Sequence, residues 1–185
     1  LAISDSSKMY VIGHEHFNKS LTLDIENKLM LYMSSIENVD AVYNRRTNQQ
    51  NDYFTSHELD KIFSKVWRGL QKKNKELFPV EQIIRDSAIF KASPFHKLTE
   101  EQIRTKDFIT LRIMQALTKE ETGQLILVTG EAGSGKTVLM SSLFYELNQL
   151  SKEDPENLIF KDTKNFLLVN HEQQLKVYQQ IATKL

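Results

Sequence analysis

Two rhythms of apolar residues alternate along this chain, and together they predict its elements before any chemistry is considered. The run Met9-Tyr10-Val11-Ile12 reads as a short strand. Beyond it, Ile25, Leu29 and Tyr32 recur about one turn apart, with Thr22 standing as the expected cap of that helix. Residues 44–54 are polar and rich in Asn and Gln, the composition of a loop. Thr55-Ser56-His57-Glu58 then spells a capping box, and Leu59, Ile62, Phe63, Val66, Trp67 and Leu70 mark one face of the helix it should start. Lys72, Lys73 and Lys75 follow where cations suit a helix C-terminus. Phe78-Pro79 breaks the pattern before a short helix around Val80 to Arg85, and Ser93-Pro94 marks another turn.

The second half repeats the alternation. Leu98-Thr99-Glu100-Glu101-Gln102 opens a helix predicted to run to about Thr118, and the polar stretch Lys119 to Gly123 ends it. Leu125-Ile126-Leu127-Val128 reads as a buried strand, followed by a helix with Leu139, Leu143, Leu147 and Leu150 on one face. Residues 151–165 form a polar connection around Leu158-Ile159-Phe160, after which Phe166-Leu167-Leu168-Val169 reads as a second strand and Leu175, Tyr178 and Ile181 as a last helix. Strands alternating with helices predict an α/β fold with a parallel sheet. The divisions expected are a small α+β module at 1–54, a helical connector at 55–96, and the first part of a P-loop NTPase, with an incomplete RecA-like sheet, at 97–185.

The chemistry is concentrated between the strand at 125–128 and the helix that follows. Gly130-Glu131-Ala132-Gly133-Ser134-Gly135-Lys136-Thr137 has the G-x-x-x-x-G-K-[ST] spacing of a phosphate loop. Glycines allow backbone N–H groups to curl around phosphate oxygens, and the helix that follows carries roughly half a positive charge at its N-terminus. Lys136 is expected to reach the β- and γ-phosphates of ATP, and the Thr137 hydroxyl to take one place around Mg²⁺. No apolar strand ending in Asp-Glu follows, so the carboxylate that would orient the metal is expected beyond Leu185. The chain taken alone is therefore expected to hold nucleotide without turning it over, and to self-associate through strands left uncovered.

Composition narrows the partners. Lys and Arg together number 24, as do Asp and Glu, so the net charge is zero and no global positive field draws in nucleic acid. Arg45-Arg46 and Lys72-Lys73-Lys75 are local patches whose ordinary role is a solvated face. The absence of cysteine removes disulfides, thiolate catalysis and the usual structural zinc sites, which fits a cytoplasmic setting. No apolar run approaches the roughly 18 residues of a membrane span, and the N-terminus lacks the sections of a signal peptide. A first residue of leucine reads as a piece of something longer. His14-Glu15-His16 could offer two imidazoles to a metal, without an evident third ligand, or be exposed polar residues near a strand end.

On three residue sets, the region from Leu98 to Leu185 resembles the opening of a superfamily-one DNA/RNA helicase, and most of all the schlafen-group-three-like helicases of bacterial proteins. Gly130 to Thr137 matches Walker A. Leu98-Thr99-x-x-Gln102 is similar to the glutamine motif, which implies that the Gln102 amide reads the adenine edge. With Thr99 as N-cap, Gln102 also falls where a capping box needs it, so a purely helical role stands beside the adenine one. Phe166 to Tyr178, with Val169-Asn170-His171-Glu172, resembles a motif that contacts single-stranded nucleic acid, although Asn170-His171 is also an ordinary helix start. The resemblance implies an ATP-driven motor with DNA or RNA as its partner.

The N-terminal segment resembles the C-terminal half of a GIY-YIG nuclease domain through Ile25-Glu26-Asn27-Lys28-Leu29 and Tyr43-Asn44-Arg45-Arg46. That likeness implies that Glu26 holds a catalytic divalent metal and that Asn44 helps close the site. Tyr10-Val11-Ile12-Gly13 imitates YIG but lies too near Glu26 to play its part, and no arginine precedes Glu26, which otherwise reads as a solvated helix carboxylate. The reading at this level is ATP binding in a helicase-like motor, coupled to a nuclease-like module. Its rivals are an AAA-like or signalling ATPase and a nucleotide-dependent interaction module that never hydrolyses.

Overall fold

The structure, a computed structural model, describes residues 7–43, 50, 52–152 and 158–184. Its elements are helices: α1 (Lys19–Ser34), α2 (Leu59–Lys73), α3 (Glu81–Asp86), α4 (Ala88–Ala92), α5 (Glu100–Thr118), α6 (Lys136–Lys152) and α7 (Glu172–Lys184). Among the described residues there is no paired strand, which overturns the expected α/β fold, its RecA-like parallel sheet and the α+β module before it.

The reason lies in what an apolar run can and cannot specify. Residues 9–12, 125–128 and 166–169 belong to no helix, and their exposure alternates with the period of two that a strand has. Tyr10 and Ile12 pack on the core while Met9 and Val11 are exposed, and Leu125 and Leu127 are exposed at 80% and 79% while Val128 packs inward. Phe166 and Leu168 repeat this at 78% and 89%. A strand also needs a neighbour whose N–H and C=O groups answer its own, and none of the described segments lies alongside these runs to do so. The first two runs therefore set Tyr10, Ile12 and Val128 on the cores and leave their other apolar side chains bare.

Two cores organise the helices. The larger gathers Leu21, Ile25, Leu31 and Tyr32 of α1 with Ile62, Phe63, Val66, Trp67 and Leu70 of α2, and adds Phe78, Ile84 and Phe95 from the segments that follow. Tyr32 is its centre, with ring centroids 4.7 Å from Phe63, 5.0 Å from Trp67 and 5.2 Å from Phe90. Its polar tips are paired: the Trp67 indole donates to the Pro79 carbonyl at 2.9 Å, and the Tyr32 hydroxyl donates to Glu81 at 2.9 Å. Burial and the Glu81 carboxylate push the Tyr32 phenol well above its ordinary range. The smaller core packs Ile109 of α5 against Leu143 and Leu147 of α6, with Phe160 closing over them. Phe95 meets Tyr145 edge-on at 5.3 Å, which joins the two, and α4 packs against both α6 and α7.

The helix starts differ from expectation in an instructive way. Asn18, not Thr22, caps α1, accepting from Leu21 N–H at 2.9 Å; the Thr22 hydroxyl points back to the Asn18 carbonyl at 2.8 Å. Asn18 also donates to the Thr55 hydroxyl at 3.3 Å. Drawn into that contact, Thr55 makes no cap of its own, and a 3₁₀ turn at Ser56–Glu58 replaces the predicted box ahead of α2.

Candidate nucleotide site

The loop at 130–137 enters α6 through a tight sequence of turns. Ser134 N–H donates to the Glu131 carbonyl at 3.2 Å, and Leu139 N–H donates to the Gly135 carbonyl at 3.0 Å, which opens the helix. Gly133 and Gly135 have φ of +82° and +81°, a region where any side chain is strained. At Gly130 the constraint is space, since a Cβ there would stand 2.7 Å from the Ser134 hydroxyl oxygen. Conformation thus calls for glycine at 133 and 135, whereas a side chain at 130 would make the Ser134 hydroxyl turn away.

Lys136 turns back over the loop instead of outward. Its ammonium donates to the Gly130 carbonyl at 2.8 Å and to the Glu131 carbonyl at 2.7 Å. The cation is held by the turn's own acceptors. Thr137 is exposed on the first turn of α6, next to a cleft of about 590 Å³. That cleft is lined by Lys136, Thr137 and Met140 on one side and by Leu167–Asn170, Gln174 and Tyr178 on the other. Bare Cα positions, a positioned ammonium and a hydroxyl oxygen are the donor set that a triphosphate with a hard divalent cation asks for.

Gln102 arrives at the same loop from α5. Its side-chain oxygen accepts from Thr99 N–H at 3.0 Å, and Thr99 Oγ1 accepts from Gln102 N–H at 3.2 Å, so the capping box is formed. Its side-chain nitrogen donates to the Ser134 carbonyl at 3.0 Å. Gln102 and residues 130–137 are therefore brought together across 32 positions of sequence.

Comparison with known proteins adds a likeness over part of the chain. Residues 123–185 match the family described as Schlafen group 3, DNA/RNA helicase domain. This stretch is helicase-like. A curated relative, the uncharacterized protein YPL245W of Saccharomyces cerevisiae, is 34% identical over 80 residues, which is 43% of this chain and 18% of that protein. The chain thus spans under a fifth of the relative's length. No solved structure matches the chain.

The other expected site residues lie elsewhere. Glu26 is exposed on α1, within the larger core's module, and Asn44 falls outside the described residues together with Arg45 and Arg46. Among the described residues no three His, Asp or Glu side chains gather as a metal shell, around Glu26 or around His14 and His16. The two imidazoles stand 5.3 Å apart, with His14 Nδ1 accepting from His16 N–H at 3.2 Å. Asn170 lines the cleft beside Thr137, while the His171 carbonyl accepts from Leu175 N–H at 3.0 Å and so starts α7. Among the described residues no helix is long and apolar enough to cross a membrane.

Sequence reasoning missed the far wall of the cleft. Gln174 and Tyr178 face Thr137 from α7, and the Ser141 hydroxyl lies 3.4 Å from the Tyr178 hydroxyl. Their i, i+4 spacing placed both on one helix face, but only the docking of α7 beside α6 shows which face meets the loop.

Proposed function

We propose that the chain binds ATP with Mg²⁺ at residues 130–137 and does so as part of a nucleic-acid motor. The observation that carries this reading is the loop itself: two left-handed glycines running into α6, with the Lys136 ammonium held over the turn. Such a loop takes phosphate through backbone N–H groups and the helix dipole, with no side chain in the way. Lys136 supplies a cation for the β- and γ-phosphates, and in binding them it exchanges loop carbonyls for phosphate oxygens. The Thr137 hydroxyl supplies one oxygen ligand for Mg²⁺, whose chemistry at such a site is to neutralise charge on the terminal phosphates. The helicase-like match over 123–185 supports DNA or RNA as the partner, with ATP turnover as the drive in the whole protein.

Calorimetry on the full-length protein tests this. Lys136→Ala should abolish ATP binding while the far-ultraviolet spectrum stays that of the parent. Equal affinity in mutant and parent would remove the assignment.

A further inference from the structure

We infer that Gln102 is the positioning residue of the phosphate loop: it ties the Ser134 carbonyl to the N-terminus of α5, so that the loop's grip on a triphosphate depends on this side chain whatever base the nucleotide carries. The inference rests on the triphosphate reading given above and says which part of the ligand Gln102 serves.

The orientation of the amide follows from chemistry alone. Thr99 presents an N–H, which can only donate, and Ser134 presents a carbonyl, which can only accept. The oxygen must therefore face Thr99 and the nitrogen Ser134. A helix cap uses only the oxygen, and glutamate serves that role as well as glutamine. The nitrogen is the part that capping leaves unexplained, and it is the part that reaches the loop.

Contact with the loop extends to a second residue. A Cβ built on Gly135 would stand 2.4 Å from the Gln102 nitrogen, so the amide lies directly against two successive loop positions, Ser134 and Gly135. The helix that carries Gln102 is itself anchored on the helix that the loop opens, through Ile109 on Leu143 and Leu147 and through the ion pair of Lys106 with Glu146. Loop, α5 and α6 close into a triangle, with Gln102 as the joint between the first two. The amide thus commits one lone pair to Thr99 and one N–H to Ser134, both within the cap and the loop.

Substitution separates the two halves of the side chain. Gln102→Glu keeps the capping oxygen and replaces the donor with an acceptor facing the Ser134 carbonyl, whereas Gln102→Ala removes both without adding charge. In the full-length protein, ATP and inorganic tripolyphosphate binding would be measured with Mg²⁺ for the parent, both variants and Lys136→Ala. Amide hydrogen exchange of the loop peptide would be followed without ligand. The expected result is that both Gln102 variants speed loop exchange and weaken the two ligands by the same factor, about tenfold for one lost hydrogen bond. Gln102→Glu should keep the parent's thermal midpoint, while Gln102→Ala lowers it. Weakening of ATP alone, with tripolyphosphate affinity and loop exchange unchanged, would overturn the inference in favour of base reading. Parent-like exchange and affinities with only the Gln102→Ala midpoint lowered would overturn it in favour of a cap and nothing more. If Lys136→Ala loses binding while the Gln102 variants do not, the inference falls and the triphosphate reading stands. A parent that binds neither ligand would remove both.

Discussion

At the scale of single residues, backbone conformation and close approach decide what each position tolerates. Gly135 combines a φ of +81° with the Gln102 amide at 2.4 Å from its would-be Cβ. Gly135→Ala should therefore cost about 1–2 kcal/mol for the left-handed backbone alone, with a further penalty from the contact. Adding Gln102→Ala should return the contact part and leave the backbone part, and a double-mutant cycle on the thermal midpoint would measure the coupling. Strictly additive effects would mean that the two groups do not press on each other. His96 offers a pH-dependent case. Burial lowers its pKa, while its Nε2–H donates to the Phe90 carbonyl and works the other way. The folded state thus holds a neutral imidazole at a pH where the unfolded chain already binds a proton. Its contribution to stability is present above the ordinary value of about 6.5 and is lost as pH falls toward the depressed folded value. Urea midpoints taken from pH 7.5 to 5 should drop more steeply for the parent than for His96→Phe.

At the scale of elements, local signals compete and tertiary partners choose among them. Asn18 and Thr22 both had the chemistry of a cap, and Asn18 took the role because its side chain also reaches Thr55. Asn18→Ala should destabilise by about 1 kcal/mol, the usual cost of losing an N-cap. Thr22→Ala should cost less, because the Thr22 hydroxyl only doubles a carbonyl that the helix already uses. Chemical denaturation of the two variants checks the order, and the reverse order would return the cap to Thr22. For α5 the competition never arose, because Thr99 and Gln102 form the box the sequence predicts.

At the scale of the whole molecule, α7 ties the loop-bearing half to the α1 half. The Lys184 ammonium donates to the Ile36 carbonyl just beyond α1, and Val42 N–H donates to the Lys184 carbonyl at 3.3 Å. Burial lowers the Lys184 pKa, against the raising effect of Glu37 and Asp40. Lys184→Met would take one of two donors from the Ile36 carbonyl, which still accepts from Val39 N–H at 3.2 Å, a loss of about 1 kcal/mol. Faster amide exchange along Glu172–Lys184 should accompany it, and unchanged exchange there would mean that apolar packing alone docks α7. That helix carries Gln174 and Tyr178, so its docking also sets the far wall of the cleft beside Thr137.

What the sequence determined by itself is what depends on neighbours within a few residues. The helical faces at Ile62 to Leu70 and at Leu139 to Leu147, the box at Thr99 and Gln102, and the left-handed turns at Gly133 and Gly135 all follow from local spacing and local sterics. The alternation of exposed and less exposed side chains at 125–128 and 166–169 was legible in the same way, because it is a property of one segment. Sheet formation was not, because it requires a second backbone at hydrogen-bonding distance, and a run of leucines carries no information about whether one is present. The same limit explains the site. Spacing marked the loop and named Gln102, yet the meeting of the Gln102 nitrogen with Ser134 and the placing of Tyr178 opposite Thr137 depend on how α5, α6 and α7 pack. Those are contacts between residues more than thirty positions apart, and only the tertiary structure could decide them.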